Sequence, residues 1–201
     1  MTLPSLLRRV GLDVPRGVTV DGRLITGRAA AAALAAGTAT SMSPHTFHGG
    51  GGGGDSPATS TPSAWWHDAD ARAADCCAVA RAFPGFTLDD TDGEFTWRGT
   101  LDTGRGRFVI DVVADAAGGL PRIVPVSPRV LGRNEGRRGF RPSPHLYTNG
   151  HLCVADSTDW DAANHTTATA ITWAAHWFAA YTDWRLGGRW PTEGYRYRAA
   201  A

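Results

Sequence analysis

The chain has 201 residues, 42% of them hydrophobic, and a formal net charge of +1. That is enough apolar material for one core, in a single domain or a domain with an extension. The near-neutral charge gives no electrostatic reason to expect nucleic acid or an anionic membrane as a partner.

Three cysteines are present, Cys76, Cys77 and Cys153. The count is odd and the first two are adjacent, which is no disulfide framework and suits a reducing cytoplasm. Arg8 and Arg9 lead into no apolar stretch, so no secretory signal is expected. Ala29 to Ala36 is apolar but too short to cross a bilayer.

Residues 1–40 read as a small N-terminal extension. Leu3, Leu6, Leu7 and Val10 suit a short amphipathic helix. Val18 to Ile25 predicts a hairpin around Asp21-Gly22, and Arg28 to Ala36 an Ala-rich helix. Residues 41–63 read as a flexible linker, with six glycines at Gly49 to Gly54 followed by Ser, Pro and Thr. The glycine run lacks the Lys and Ser/Thr of a phosphate loop.

Residues 64–201 carry the main domain. Ala64 to Phe83 predicts a helix with Trp66, Ala73, Cys77, Ala80 and Phe83 on one face. Pro84-Gly85 ends it. Extended segments follow at 86–88, 94–101, 108–113 and 120–126, separated by Gly-containing turns, and predict an antiparallel meander. A Pro-rich crossing then leads to Pro144-His145-Leu146-Tyr147, a turn at Asn149-Gly150, and Leu152-Cys153-Val154. A last helix is expected from Thr166 to Arg185, with Ile171, Trp173, Ala174, Trp177, Phe178, Tyr181 and Trp184 forming a broad apolar surface. The class is therefore α+β: helix, four-stranded meander, cysteine loop, C-terminal helix.

The cysteine segment resembles the active-site segment of ubiquitin-conjugating enzymes. Pro144 stands nine residues before Cys153, Tyr147 six before, Gly150 three before, and Trp160 seven after. Where that family carries His-Pro-Asn, this chain has Ser143-Pro144-His145. The variant is most similar to bacterial ubiquitin-conjugating-like proteins of antiviral conjugation operons such as CBASS. The resemblance covers roughly residues 64–198. It implies the ubiquitin-conjugating fold and a transferase with Cys153 as nucleophile in a partly exposed loop. Such a protein carries a protein C-terminus as a thioester, which yields readily to attack by an amine. The implied partners are an activating enzyme, a ubiquitin-like modifier or other protein C-terminus, and a target protein; no cofactor is implied.

Around Cys153, His145 could support the oxyanion, act as base or brace the loop. Asp161 is the candidate to orient the attacking nucleophile, with Asp156 and Asp159 as alternatives; Asp is equally suited to capping turns. Tyr147, Asn149 and Trp160 are candidate binding residues. His151 and His165 lie near in sequence, but no pair spacing completes a zinc site. All 20 basic residues are Arg, so a conjugating enzyme of this sequence has no lysine of its own to modify. Two other functions fit Cys153 less well: a cysteine hydrolase using His165 or His176, and a non-catalytic binding module on the same fold. A chain starting near Ser63 is expected to retain the chemistry.

Overall fold

The structure is a computed structural model that describes residues 14–47 and 63–195. The helix expected from Leu3 to Val10 and the Gly49 to Gly54 run lie outside the described residues. The architecture is α+β, with antiparallel sheets and three α-helices among the described residues.

The largest sheet holds β5 (Thr87–Asp89), β6 (Thr96–Asp102), β7 (Arg107–Val113) and β8 (Arg122–Ser127), in chain order and each antiparallel to its neighbour. Successive side chains on a strand point to opposite faces. Trp97 and Leu101 on β6, and Phe108, Ile110 and Val112 on β7, are therefore buried together. Gly99 belongs to that face for a second reason: the Phe86 ring lies where its Cβ would be.

The buried face meets α3 (Thr167–Gly187). This 21-residue helix is buried nearly all round, with Ile171, Trp173, Trp177, Phe178, Tyr181 and Trp184 at 2% exposure or less. Phe108 stacks on Phe178 with ring centres 4.2 Å apart. Gly188, at φ 75°, ends the helix and returns its N–H to the Trp184 carbonyl at 2.7 Å, the left-handed stop that glycine permits.

The first predicted helix divides in two. A 3-10 turn at Trp65–His67 sets Trp65 and Trp66 against Phe95. Asp68 then caps α2 (Ala69–Ala82) by accepting from Asp70 N and Ala71 N. The expected apolar face is wrong. Ala73, Cys77 and Ala80 are exposed, and Asp75, Val79 and Ala82 are buried. Asp75 sets this rotation, because its Oδ1 accepts from Thr167 N at 2.7 Å and so caps α3. Burial pushes the Asp75 carboxyl up, against those hydrogen bonds.

The N-terminal segment is part of the body. β1 (Arg16–Thr19), β2 (Leu24–Thr26) and β3 (Ala39–Ser41) form a sheet in the order β2-β1-β3, with α1 (Gly27–Ala35) between β2 and β3. The Asp21-Gly22 turn forms as expected, with Gly22 at φ 94°. Its tip reaches the main sheet, where Asp102 N donates to Asp21 O at 2.7 Å. The expected linker start at residue 41 is also corrected. Met42, His45 and Phe47 are 1%, 0% and 3% exposed, and Met42 and Phe47 share the main core. β4 (His45–Thr46) pairs antiparallel with β11 (Gly194–Tyr195). Three isolated large side chains among polar neighbours carry no periodicity, which is why this stretch resembles a linker.

Candidate active site

The cysteine segment is a small hairpin laid beside the main sheet. Tyr147 N donates to His151 O and Gly150 N to Tyr147 O, both at 2.9 Å. Leu146 bridges Leu152. Gly150, at φ 85°, takes the left-handed position that closes a three-residue hairpin loop. Asn149 fixes the turn through its side chain, its Oδ1 accepting from His151 N at 3.1 Å. Asn149 is therefore a turn-former at an exposed tip. Leu152 N donates to Ile123 O at 2.9 Å, tying the hairpin to β8.

Cys153 follows immediately. It lies in a loop outside any strand, but it is 0% exposed, and its neighbours Leu152, Val154 and Ala155 are at 2% or less. The expectation of a partly exposed cysteine is thus corrected: the apolar run that carries it is core. Its amide donates to the His145 carbonyl at 2.9 Å. The Tyr147 hydroxyl is hydrogen-bonded to its thiol, and Tyr147 is pushed up to about 12, first by burial and then by the cysteine beside it.

His145 works here through its backbone. Its carbonyl also accepts from Trp177 Nε1 at 3.0 Å, so one oxygen joins the cysteine segment to α3. Its φ is 56°, the single positive value outside glycine among the described residues. Backbone held in this region is costly for a residue with a Cβ. The ring sits between Trp190 (4.9 Å between centres) and Phe47 (5.7 Å), with Nε2 3.6 Å from Glu193 Oε2.

Asp161 and Asp156 cap local turns, and Asp159 ties its segment to β4. Asp161 accepts from Asn164 Nδ2 at 2.7 Å and Ala163 N at 3.0 Å, and these bonds hold its carboxyl below the usual range. Asp156 accepts from Thr158 N at 3.0 Å, and Asp159 accepts from Thr46 N at 2.7 Å. Trp160 is half-buried packing: its Nε1 donates to Gly118 O at 2.8 Å and its ring meets Trp173 edge-on. The structure thus brings Cys153, His145 and Tyr147 together, occupies Asp161 and Asn149 with local turns, and uses Trp160 in tertiary packing.

The two histidines considered for a hydrolase are engaged elsewhere. His176 Nδ1 meets His45 Nε2 at 2.9 Å, and His165 Nδ1 accepts from Asp161 N at 3.1 Å. Among the described residues, no group of three or more His, Cys, Asp or Glu could hold a metal, and no helix is long and apolar enough to cross a membrane. The aromatic cover of His145, made by Phe47 and Trp190, was not legible in the sequence. Its sole signal was Trp190-Pro191 beyond the last helix.

Residues 75–197 match the family described as Type II CBASS E2 protein, a span that contains the whole cysteine hairpin and α3. The match covers more than half of the chain, which therefore belongs to that family. No curated protein and no solved structure matches the chain.

Proposed function

From its membership of a family of CBASS conjugating proteins, we propose that this chain carries a protein C-terminus as a thioester on Cys153 and passes it to a target. In the first step the Cys153 thiolate attacks the carbonyl of a modifier held as a thioester on an activating enzyme. A new S–C bond forms, the old one breaks, and the activating enzyme's sulfur leaves as a thiolate, which takes up the proton that the Cys153 thiol released on ionising. In the second step an amine attacks, the Cys153 sulfur leaves, and the amine's proton returns to it.

One observation carries the reading. Within the family-matched span, Cys153 has the Tyr147 hydroxyl on its thiol and its amide on the carbonyl of a strained His145. A buried amide needs an acceptor in any case, but a purely structural cysteine needs neither a hydroxyl on its thiol nor a strained residue as that acceptor. Strained backbone concentrates where structure is kept for function. His145 is a positioning residue in this reading, and Asp161 a turn-former. Because Cys153 is sealed, charging requires the 146–152 hairpin to shift. Its tip, Thr148 and Asn149, is exposed, and Tyr147 is half-buried.

The test is co-expression with the activating enzyme and modifier of the same operon. The expected product is an adduct cleaved by excess thiol but not by a thiol-free phosphine reductant, absent from Cys153→Ala, and thiol-stable in Cys153→Ser, where an oxyester replaces the thioester. An adduct that persists in Cys153→Ala would sink the proposal.

A further inference from the structure

Before the cysteine hairpin the chain forms a second one, β9 (Gly132–Asn134) paired with β10 (Phe140–Pro142). It stands on the C-terminal end of α3. The Tyr181 hydroxyl accepts from Gly132 N and donates to Gly132 O, each at 3.1 Å. Arg133 reaches the Trp184 carbonyl at 3.4 Å, at the negative end of the helix dipole.

The charge here is one-sided. Glu135 is the sole acidic residue from Arg129 to Arg141, and it is taken by Arg133 at 3.2 Å and Arg141 at 3.4 Å. Arg129, Arg137 and Arg138 on the hairpin, and Arg185 and Arg189 at the helix end, remain exposed. None of the five stands in an ion pair among the described residues. Asp183, the acid on the same end of α3, is held by Arg105 at 2.7 Å. Apolar surface is concentrated at the same place. Of the four exposed large hydrophobics among the described residues, three are Val130 (69%), Phe140 (54%) and Leu186 (74%).

We propose that this hairpin and helix end form a docking surface for an acidic segment of a partner protein that also carries apolar side chains. Arginine with aromatic and aliphatic anchors is the composition of protein interfaces. The unpaired guanidiniums supply the complementary charge and fork-shaped donors for carboxylates. A phosphate backbone would satisfy the arginines but leave Val130 and Leu186 without a counterpart, so a protein fits better than a nucleic acid. The surface also adjoins the reactive segment. Ser143 N, just past β10, donates to Leu131 O at 3.1 Å, and two residues later His145 holds the Cys153 amide. A partner bound here engages the strand that leads directly into the cysteine segment.

The test uses the full chain and fluorescence anisotropy with three labelled probes: a synthetic peptide of Glu and Asp interspersed with Leu, its counterpart with Lys at the acidic positions, and a single-stranded DNA oligonucleotide. The acidic peptide binds best, and salt weakens it. In the double variant Arg137→Glu, Arg138→Glu its affinity falls roughly tenfold or more with the melting temperature unchanged. Phe140→Ser weakens it as well. Cys153→Ala leaves binding intact, so failure of docking and failure of transfer are separate results. Absence of acidic-peptide binding at low salt, equal binding by the double variant, or tighter binding of the oligonucleotide overturns the proposal.

Discussion

The imidazoles of His45 and His176 meet Nε2 to Nδ1 at 2.9 Å, and this buried contact fastens the N-terminal segment to the longest helix. The Ser43 carbonyl, 3.0 Å from His45 Nδ1, fixes the tautomers. His45 Nδ1–H donates to it, so His45 Nε2 accepts and His176 Nδ1–H donates. Both rings are neutral. Burial holds His45 down at about 4, against the pull of the Ser43 carbonyl and Asp159 and with a smaller push from Arg16. Burial, then His45 and Arg16, hold His176 well below its ordinary value.

The sign of the pH dependence follows. Unfolded histidines take up protons below about 6.5, whereas folded His45 refuses them until about 4. Stability is therefore full above that window and is lost as pH falls through it, on the order of 3 kcal/mol for His45. Urea denaturation should show a lower midpoint at about pH 5 than at about pH 7, with a shallower dependence in His176→Gln. A flat profile between those values would refute the buried neutral pair.

The N-terminal segment is expected to be needed for folding, contrary to the dispensable extension that the sequence suggests. Phe47 is 3% exposed and packs on His176, His145 and Trp190. Phe47→Ala should cost about 3–5 kcal/mol. A chain starting at Ser63 loses Val18, Met42, His45 and Phe47 together and should fail to give a cooperative unfolding transition. A folded, fully active truncation would contradict the packing described above.

Thiol labelling should rank the cysteines by burial: Cys77 first, Cys76 next and Cys153 last. Intact-mass spectrometry after brief alkylation reads the order. Tyr147→Phe removes the hydroxyl that is hydrogen-bonded to the thiol. A hydrogen bond to the charged form favours it, so this variant should alkylate Cys153 several-fold more slowly at alkaline pH. Faster alkylation would instead make Tyr147 chiefly a cover.

At His145 the backbone and ring can be separated. A residue with a Cβ at φ 56° carries a cost that glycine avoids. His145→Gly should therefore be more stable than His145→Ala by about 1 kcal/mol, although both lose the ring contacts. His145→Ala keeps the carbonyl but loses the ring contacts with Phe47 and Trp190 that hold it in place, so it should slow charging and discharge of Cys153 by similar factors. Selective loss of discharge would show that the ring reaches the reacting carbonyl.

Local pattern predicted the elements whose burial is regular. The aromatic stripe from Ile171 to Trp184, the alternation on β6 and β7, and the Asp21-Gly22 and Asn149-Gly150 turns all stand where expected. Pattern failed where one polar contact set the geometry. In α2 the alanines give little contrast between faces, and buried Asp75 decides the rotation by capping another helix. At the site, residue types drew attention to Cys153, His145 and Tyr147. The burial of the thiol and the use of the His145 carbonyl depend on long-range packing, which a single sequence does not display.

The pairing of His45–Thr46 with Gly194–Tyr195 also orders events during synthesis. Its two strands are separated by almost the whole described chain, so loop closure makes it a late contact. Phe47 leaves the ribosome long before Trp190 and Glu193 do, and until they emerge the aromatic bracket around His145 cannot close. A nascent chain can thus form its central sheet while the cysteine segment is still without its brace. The packing of Phe47 and Trp190 on His145, and with it the seating of the cysteine loop, becomes available only after synthesis has passed Tyr195.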